Sequence, residues 1–290
     1  MKSYNLVSDL KTIMEYFSLS TEEFADNIGI SRPTLIGILD GNTNTSRETL
    51  EKIYAFSYDS KQGLNLNRTK ELLYLDKAGK NKLLFHGAKG EIVGDVDTHH
   101  SLPPNDFGNG FYVGESLAQA ASWVAKFEKS SIYCFYLKNI ESLKIVNFSA
   151  NREWLLAVLY YRNAFNRYEA SDEVKSIIDK IENSDLVIAP IADNEMFATI
   201  DSFSRNEITD EACIRAISAS NLGIQYVFKS DKACKNLECI ERMYLCEKEK
   251  QDYIAVKEKL SEEGIQKSHL AIIKYRREGL YFDELFKRKG

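Results

Sequence analysis

The spacing of the apolar residues changes about eighty residues into the chain, and this change constrains the fold more than any other feature. Before it, apolar residues recur at the three- and four-residue intervals of amphipathic helices. After it, short apolar runs bounded by glycine and polar residues are interspersed with helical stretches, which is typical of strands mixed with helices. A chain of 290 residues has room for two or three such units. We therefore expect an α+β fold with an all-α N-terminal domain.

The all-α domain is predicted for residues 1–60. Ser20 and Glu23 have the spacing of a capping box, Gly29 suits a helix C-terminus, and Ser31 can cap the next helix. A further helix is expected to begin near Ser46. The stretch LSTEEFADNIGISRPTLIGILDGNT resembles the helix-turn-helix domain of phage-repressor-type proteins. In that family the second helix of the pair enters the major groove of DNA.

This resemblance implies DNA contacts by the first turn of the second helix, at Arg32, Pro33 and Thr34. The charge balance disagrees, because residues 1–58 hold five basic residues and eight carboxylates. Phosphate neutralisation normally supplies most of the affinity for DNA. DNA, a protein partner and a second copy of the chain therefore remain alternative partners of this domain.

Charge and cysteine usage exclude several broad classes. The formal net charge of −5 argues against general attraction to nucleic acid or to an anionic membrane. The five cysteines are odd in number and form no CxxC pair, so we expect buried free thiols with neither zinc nor a disulfide framework. No apolar run is long enough for a membrane span or a signal peptide. We expect a cytoplasmic protein without a membrane partner.

Four regions are predicted along the chain: the helical domain 1–60, a polar linker 61–80, an α+β domain 81–245 and a helical C-terminal extension 246–290. Within the α+β domain, NKLLFHGAKG, SSIYCFYLK and GIQYVFKS read as strands. Ser116 is expected to cap a helix with Ala120, Trp123, Val124 and Phe127 on one face. The extension is expected to form two or three charged helices with a solvated surface, and the alternative is contact with a partner or with nucleic acid.

Common catalytic motifs are missing from the α+β domain, which has no GxSxG elbow, HExxH, Walker loop or GxGxxG fingerprint. Three other motifs occur in a fixed order, namely LLFHGAK, FGNGFYVGESLAQAASW and QYVFKSDKAC. In this order they resemble the ADP-ribosyltransferase superfamily, specifically its diphtheria-toxin and poly(ADP-ribose) polymerase branch. With DLVIAPIADNEMF they are more similar still to an uncharacterised bacterial family found beside toxin-antitoxin genes. The resemblance implies a split β-sheet core and NAD as co-substrate.

The resemblance also implies roles for the motif residues. His86 would hydrogen-bond a ribose hydroxyl, Gly87 would pair its backbone with the carboxamide, and Tyr112 would stack on the nicotinamide ring. The alternatives are a structural histidine and a core tyrosine in a hairpin-like loop. The further positions implied at NAD are Phe107, Gly108, Gly110, Ser116 and Asp193. The resemblance implies no metal.

Gln225 departs from the family pattern, because the catalytic residue at the head of this strand is usually glutamate. Glutamine can still bind the ribose 2′-hydroxyl, but it supplies no negative charge to the oxocarbenium-like transition state. Three outcomes stay open: a slow or specialised transferase, a transferase that uses Asp193, Glu195 or Glu207 instead, or a catalytically dead fold that binds NAD or ADP-ribose.

The resemblance thus implies an NAD-dependent mono-ADP-ribosyltransferase with Gln225, His86 and Tyr112 as catalytic residues. Such a protein would be a bacterial toxin or phage-defence effector that modifies a protein or nucleic acid, with an antitoxin as a further partner. The alternatives are an NAD glycohydrolase and a transcriptional regulator with a nucleotide-sensing pocket.

Overall fold

The computed structural model describes residues 3–41, 45–59, 63–99, 101, 105–165, 171–192, 197–219 and 223–287. Its helices are α1 Leu6–Phe17, α2 Thr21–Ile28, α3 Arg32–Leu39, α4 Arg47–Asp59, α5 Leu66–Lys77, α6 Leu117–Val124, α7 Arg152–Tyr161, α8 Asp172–Glu182, α9 Phe197–Ser204, α10 Asp210–Ser218, α11 Asp231–Lys235, α12 Glu247–Tyr275 and α13 Phe282–Leu285. Its strands are β1 Lys82–Ala88, β2 Phe111–Gly114, β3 Ser131–Leu137, β4 Ile145–Asn147, β5 Leu186–Pro190, β6 Ile224–Phe228 and β7 Leu237–Tyr244.

The fold is α+β, as the sequence predicts, and the chain forms two compact units. The first unit comprises residues 1–95, 116–138 and 238–256. The second unit comprises residues 96–115, 139–237 and 257–290. Each unit is assembled from segments that are distant in the sequence, so neither corresponds to one continuous stretch of chain.

Local capping signals define the N-terminal helices of the first unit. Ser20 and Glu23 form the predicted capping box, Gly29 ends α2 in the left-handed conformation at φ +64°, and the Ser31 side chain caps α3. Ser46 accepts a hydrogen bond from the backbone of Thr49 at 3.1 Å, which confirms the predicted start of α4. The inward faces of α1 to α4 form a common core whose largest fully buried members are Leu10, Ile13, Phe24, Leu35 and Ile53.

The first unit also contains the antiparallel pair β1 and β3, and β7 lies next to β3. Successive residues of a strand point to opposite faces, and Leu83 and Phe85 pack against α6. The predicted inner face of α6 was wrong for Trp123, which is 39% exposed while Ala121 is fully buried, and the helix ends at Val124, before the predicted Phe127. Small side chains bring this helix close to the strand, and the large indole is left at the edge.

Helix α5 occupies most of the predicted linker and contributes a buried cation to the first unit. The Lys70 ammonium forms ion pairs with Asp9 of α1, at 2.5 Å, and with Glu241 of β7. Tyr54 donates a hydrogen bond to Asp9 at 2.5 Å, and Tyr74 donates one to Glu241. All three charged side chains are buried. The N-terminal helices are therefore joined to β7 by paired buried charges.

Glu249, in the first turn of α12, is a buried carboxyl with an incomplete set of partners. Asn67 donates a hydrogen bond to its Oε2 at 2.9 Å. Among the described residues, neither Oε1 of Glu249 nor Oδ1 of Asn67 has a partner. Burial raises the pKa of Glu249 to about 8. A proton on this carboxyl at neutral pH supplies a donor beside the unpaired amide oxygen.

We expect Glu249→Gln to change stability only at higher pH. Because the pKa of Glu249 is raised in the folded state, wild type loses stability as the pH rises from about 5 through 8. The variant lacks this titration, so it should match wild type at pH 5 and exceed it by about 2–4 kcal/mol at pH 9. Urea unfolding across this pH range measures the difference, and a variant less stable than wild type at pH 9 would refute the neutral carboxyl.

The second unit contains a four-stranded arrangement in the order β4, β5, β6, β2. β4 and β5 are parallel, whereas β6 is antiparallel to both β5 and β2. Residues 154–159 of α7 are all buried against this sheet. Trp154 donates a hydrogen bond to the Pro190 carbonyl at 3.1 Å, which anchors α7 at the end of β5.

The described part of the C-terminal extension forms two helices, within the predicted number, but its end is not solvated as predicted. α13 has four residues, and α12 is a continuous helix of 29 residues. After it, the Leu280 carbonyl accepts a hydrogen bond from the Asp210 amide of α10, and the Phe282 ring is buried between Phe165 and Phe203 in the core of the second unit. The end of the chain is thus an integral part of that core. No helix in the described ranges has both the length and the apolar character needed to cross a membrane.

Candidate functional site

Tyr112 and Gln225 lie on the same face of the sheet in the second unit. The antiparallel register pairs Gly114 of β2 with Gln225 of β6, and Tyr112 with Val227. Paired residues project to the same face, and so do residues two apart on one strand. Tyr112 and Gln225 are therefore diagonal neighbours, a relation in which long side chains can reach each other.

The two glycines before Tyr112 are required by close packing within this unit. Gly108 has φ +69°, and a Cβ there would lie 2.8 Å from the ring of Tyr161. A Cβ on Gly110 would lie 2.7 Å from Cγ1 of Val227 and 3.0 Å from the Phe228 carbonyl oxygen. All three distances are shorter than ordinary van der Waals contact. The turn that delivers Tyr112 to β2 can therefore form only with glycine at these positions.

The Tyr112 hydroxyl closes the same turn. It donates a hydrogen bond to the Gly108 carbonyl at 2.7 Å and accepts one from the Phe107 amide at 3.2 Å. Burial raises the pKa of the Tyr112 phenol, so it remains protonated at neutral pH. Lys229 adds a hydrogen bond to the Phe107 carbonyl at 2.8 Å. The hydroxyl thus holds the loop, and the aromatic ring of Tyr112 is partly buried against the hydrophobic core of this unit.

Phe107 contributes its side chain to the core. The ring is fully buried and stacks on Phe148 with a centroid separation of 5.7 Å. In this arrangement, only the loop backbone of Phe107 belongs to the candidate site.

The Gln225 amide is held in one orientation by two acceptors. Its Nε2 donates to Oδ2 of Asp106 at 2.7 Å and to the Pro190 carbonyl at 3.1 Å. Because both partners can only accept, the amide nitrogen must face them and the carbonyl oxygen must face away. Among the described residues, no hydrogen bond engages Oε1. Gln225 is 7% exposed, so this oxygen is an oriented acceptor within an almost completely buried cluster.

Asp106 connects the parts of this cluster. Its Oδ1 accepts from Nε of Arg162 at 2.7 Å, and its Oδ2 accepts from the Ala192 amide at 3.1 Å in addition to Gln225. Arg162 also donates to the Ala192 carbonyl. The side chains of Asp106 and Arg162 are 6% and 9% exposed. One carboxylate therefore links the glycine loop, the end of α7, the residues after β5 and the start of β6.

Sequence reasoning missed Asp106 and Arg162. Asp106 directly precedes the FGNG motif, which was the one available signal. Arg162 follows an apolar helix and has no motif around it. Their contacts join residues 56 and 119 positions apart, at distances in sequence that no periodic pattern encodes.

His86, Gly87 and Ser116 belong to the first unit. His86 is half-buried in β1, opposite Tyr133 of β3. A Cβ on Gly87 would meet the Ala120 carbonyl and would lie 2.9 Å from Cγ1 of Val124, so the approach of α6 alone requires glycine there. Ser116 caps α6, as predicted. The convergence of His86 with Tyr112 and Gln225 stays a prediction.

Among the described residues, the structure does not bring the other predicted functional residues, the carboxylates proposed in place of Gln225 and the DNA-contact residues, into the Asp106 cluster. Asp193 and Glu195 lie outside the described residues. Glu207 is exposed and forms an ion pair with Arg205 at 3.6 Å. Arg32, Pro33 and Thr34 are all exposed at the first turn of α3.

Four of the five cysteines are buried, as predicted, whereas Cys239 is half-buried. None of the five is in a disulfide in the structure. In the described part of the chain, no group of three or more histidine, cysteine or acidic side chains could hold a metal ion.

Comparison with known proteins gives one match. No curated protein and no solved structure matches the chain. A family model, described as protein of unknown function (DUF3990), matches residues 83–239, which is more than half of the chain. The matched region includes His86, Tyr112 and Gln225, and it also includes the newly found Asp106 and Arg162. The chain therefore belongs to this family of proteins of unknown function, DUF3990.

Proposed function

We propose that this protein is an NAD-dependent mono-ADP-ribosyltransferase that modifies a macromolecule and acts as a bacterial toxin or phage-defence effector. The observation that supports it most is the fixed orientation of Gln225. Its amide nitrogen is engaged by Asp106 and Pro190, which leaves Oε1 as an oriented acceptor at the head of β6. The ring of Tyr112 lies on the same face of the sheet.

In the proposed reaction the bond between nicotinamide and the ribose C1′ breaks, and an acceptor nucleophile forms a new bond to C1′. Nicotinamide leaves as a neutral molecule and the acceptor loses a proton. Oε1 of Gln225 would accept a hydrogen bond from the ribose 2′-hydroxyl, and the Tyr112 ring would stack on the nicotinamide.

The proposed enzyme should have a low turnover rate because its site supplies little negative charge. Gln225 is uncharged, and the nearby Asp106 carboxylate is already paired with Arg162. The oxocarbenium-like transition state therefore receives little added negative charge from these residues. Loss of one preorganised electrostatic group costs about 10²–10³ in rate, so turnover should be low for a transferase.

Incubation with NAD labelled on the adenylate portion and a bacterial lysate tests the proposal. We expect label on a macromolecule with wild type, strong loss with Tyr112→Ala and partial retention with Tyr112→Phe, which keeps the ring but opens the loop. The loss of the hydroxyl should cost about 1 kcal/mol of stability. Absence of both label transfer and nicotinamide release with wild type would remove the enzyme proposal. Free ADP-ribose without labelled acceptor would indicate an NAD glycohydrolase instead.

A regulator that senses NAD or ADP-ribose is the second candidate function. The exposed first turn of α3, with its Ser31 cap in place, favours it because DNA-reading helices present their N-terminal residues in this way. A gel-shift assay on the promoter of its own gene, with and without NAD, measures this activity. A shift that depends on Arg32 and responds to NAD would favour the regulator over the transferase.

A further inference from the structure

An exposed seam runs along α12. We define it by Leu260, Glu263, Lys267 and Leu270, whose spacing of three, four and three residues is that of a coiled-coil interface. Leu260 and Leu270 are 60% and 67% exposed. Helix surfaces in water rarely leave two leucines this open along one line unless another element covers them.

A different face of α12 holds the helix to the second unit. Gly264 and Ser268 are buried, and the Ser268 hydroxyl donates a hydrogen bond to the Ala216 carbonyl of α10 at 2.7 Å. Gly264 and Ser268 each follow a member of the seam by one position, which on a helix is a rotation of about 100°. The four seam side chains are themselves exposed, so the seam remains open to solvent.

The two charged residues of the seam distinguish a parallel from an antiparallel pairing of two α12 helices. Within one chain, Glu263 and Lys267 approach to 3.8 Å, and their side chains are 48% and 60% exposed. In a parallel pair of these helices, each charge would face its own copy and repel it. In an antiparallel pair centred between Glu263 and Lys267, Glu263 faces Lys267 of the second copy and Leu260 faces Leu270. The antiparallel pair thus satisfies both charges and both leucines at once.

We propose that a second copy of this chain covers the seam, with the two α12 helices antiparallel about a two-fold axis between Glu263 and Lys267. The surface is self-complementary, which is the property that a two-fold symmetric interface requires. A single helix pair buries less area than a standard interface, so the dimer should be a weak one. This proposal is independent of the enzymatic activity.

Sedimentation velocity of the full-length chain, at concentrations up to about 100 μM, tests it. Wild type should show a concentration-dependent monomer–dimer equilibrium. Glu263→Lys places four lysines at the centre of the interface and should weaken the dimer by about tenfold or more. The double variant Glu263→Lys with Lys267→Glu exchanges the charges, restores complementarity and should recover the wild-type equilibrium.

Oxidative cross-linking gives a second, independent measurement. In the antiparallel arrangement, a chain with both Leu260→Cys and Leu270→Cys should form a disulfide-linked dimer. Each single variant should give no more cross-linked dimer than wild type. A wild-type chain that stays monomeric at the highest concentration would overturn the proposal. Cross-linking of the single variants to themselves, or a double charge exchange that fails to restore the dimer, would overturn the antiparallel arrangement.

Discussion

Gln225→Glu will destabilise the second unit, because it places a second carboxylate beside Asp106. The amide nitrogen of Gln225 lies 2.7 Å from the Asp106 carboxylate and 3.1 Å from the Pro190 carbonyl. A carboxylate oxygen in its place faces two acceptors, one of them charged, within a cluster that is almost completely buried. We expect a loss of about 2–4 kcal/mol in the free energy of unfolding near pH 8, because a buried like-charge contact replaces two hydrogen bonds.

The loss should depend on pH with a defined sign. The neighbouring Asp106 and burial both raise the pKa of the carboxyl introduced at position 225 in the folded state. The folded variant then binds a proton more strongly than the unfolded chain does, so its deficit relative to wild type is smallest near pH 4 and grows as the pH rises. Urea unfolding at several pH values measures this trend. The urea midpoints of the variant and wild type are compared where the two proteins have the same m-value.

A charge exchange serves as the matched control. In the double variant Asp106→Asn with Gln225→Glu, one amide and one carboxylate remain beside Arg162, with their positions reversed. We expect recovery of at least about half of the lost stability, as coupling between residues in direct contact predicts. An unchanged urea midpoint in the single variant would mean that Asp106 does not hold the Gln225 amide.

Lys70→Ala should cause a similarly large loss in the first unit. The ammonium is the cation shared by Asp9 and Glu241, which are both 2% exposed. Its removal leaves two buried carboxylates without their counter-ion, and removal of one partner from a buried ion pair typically costs about 3–5 kcal/mol. Chemical unfolding of the full-length chain measures the effect.

The exposed ion pair between Lys138 and Glu238 provides the comparison for Lys70. It has an N–O distance of 2.6 Å, but its side chains are 44% and 51% exposed. Solvent screening limits such pairs to about 0–1 kcal/mol, so Lys138→Ala should leave stability nearly unchanged. Equal effects of the two alanine variants would contradict a buried charge network in the first unit.

The parts of the fold that depend on nearby residues could be predicted from the sequence. The capping box of Ser20 and Glu23, the left-handed Gly29 and the Ser116 cap are each fixed within a few residues, and all three predictions were confirmed. The strands around His86, residues 131–137 and Gln225 were also found from their apolar runs. These signals are local, because capping and alternation act over one helical turn or one strand.

The strand β7 was missed because a buried charge interrupts its pattern. Glu241 lies inside LECIERMY and breaks the alternation of apolar and polar residues that identifies a strand. Its partners Lys70 and Tyr74 are 171 and 167 positions away in the sequence, so nothing near Glu241 indicates that its charge is compensated. The same reasoning explains why the sequence predicts a linker where helix α5 lies, since the inward face of this helix contains Asn67 and Lys70.

The sequence identifies residues of the candidate site by their motifs, but it does not identify the partners that hold them in place. The sequence places Gly108 and Gly110 at the site only through the family resemblance, whereas the atoms that require glycine there belong to Tyr161, Val227 and Phe228 of the protein itself. Asp106 and Arg162, which orient Gln225, come from contacts between distant segments. The motifs therefore indicate where a site could lie, whereas its hydrogen-bonding capacity is decided by long-range packing.

The central claim is that Gln225, oriented by Asp106, acts on NAD. The rate of nicotinamide release from NAD by wild type and by Gln225→Ala, in the presence of lysate as acceptor, tests it most directly. Gln225→Ala keeps the Asp106–Arg162 pair, so a thermal melt should show an intact fold. We predict slow release by wild type and a rate lower by about 10² in the variant. Wild type that neither binds nor consumes NAD, or a Gln225→Ala protein that releases nicotinamide as fast as wild type, would contradict the account.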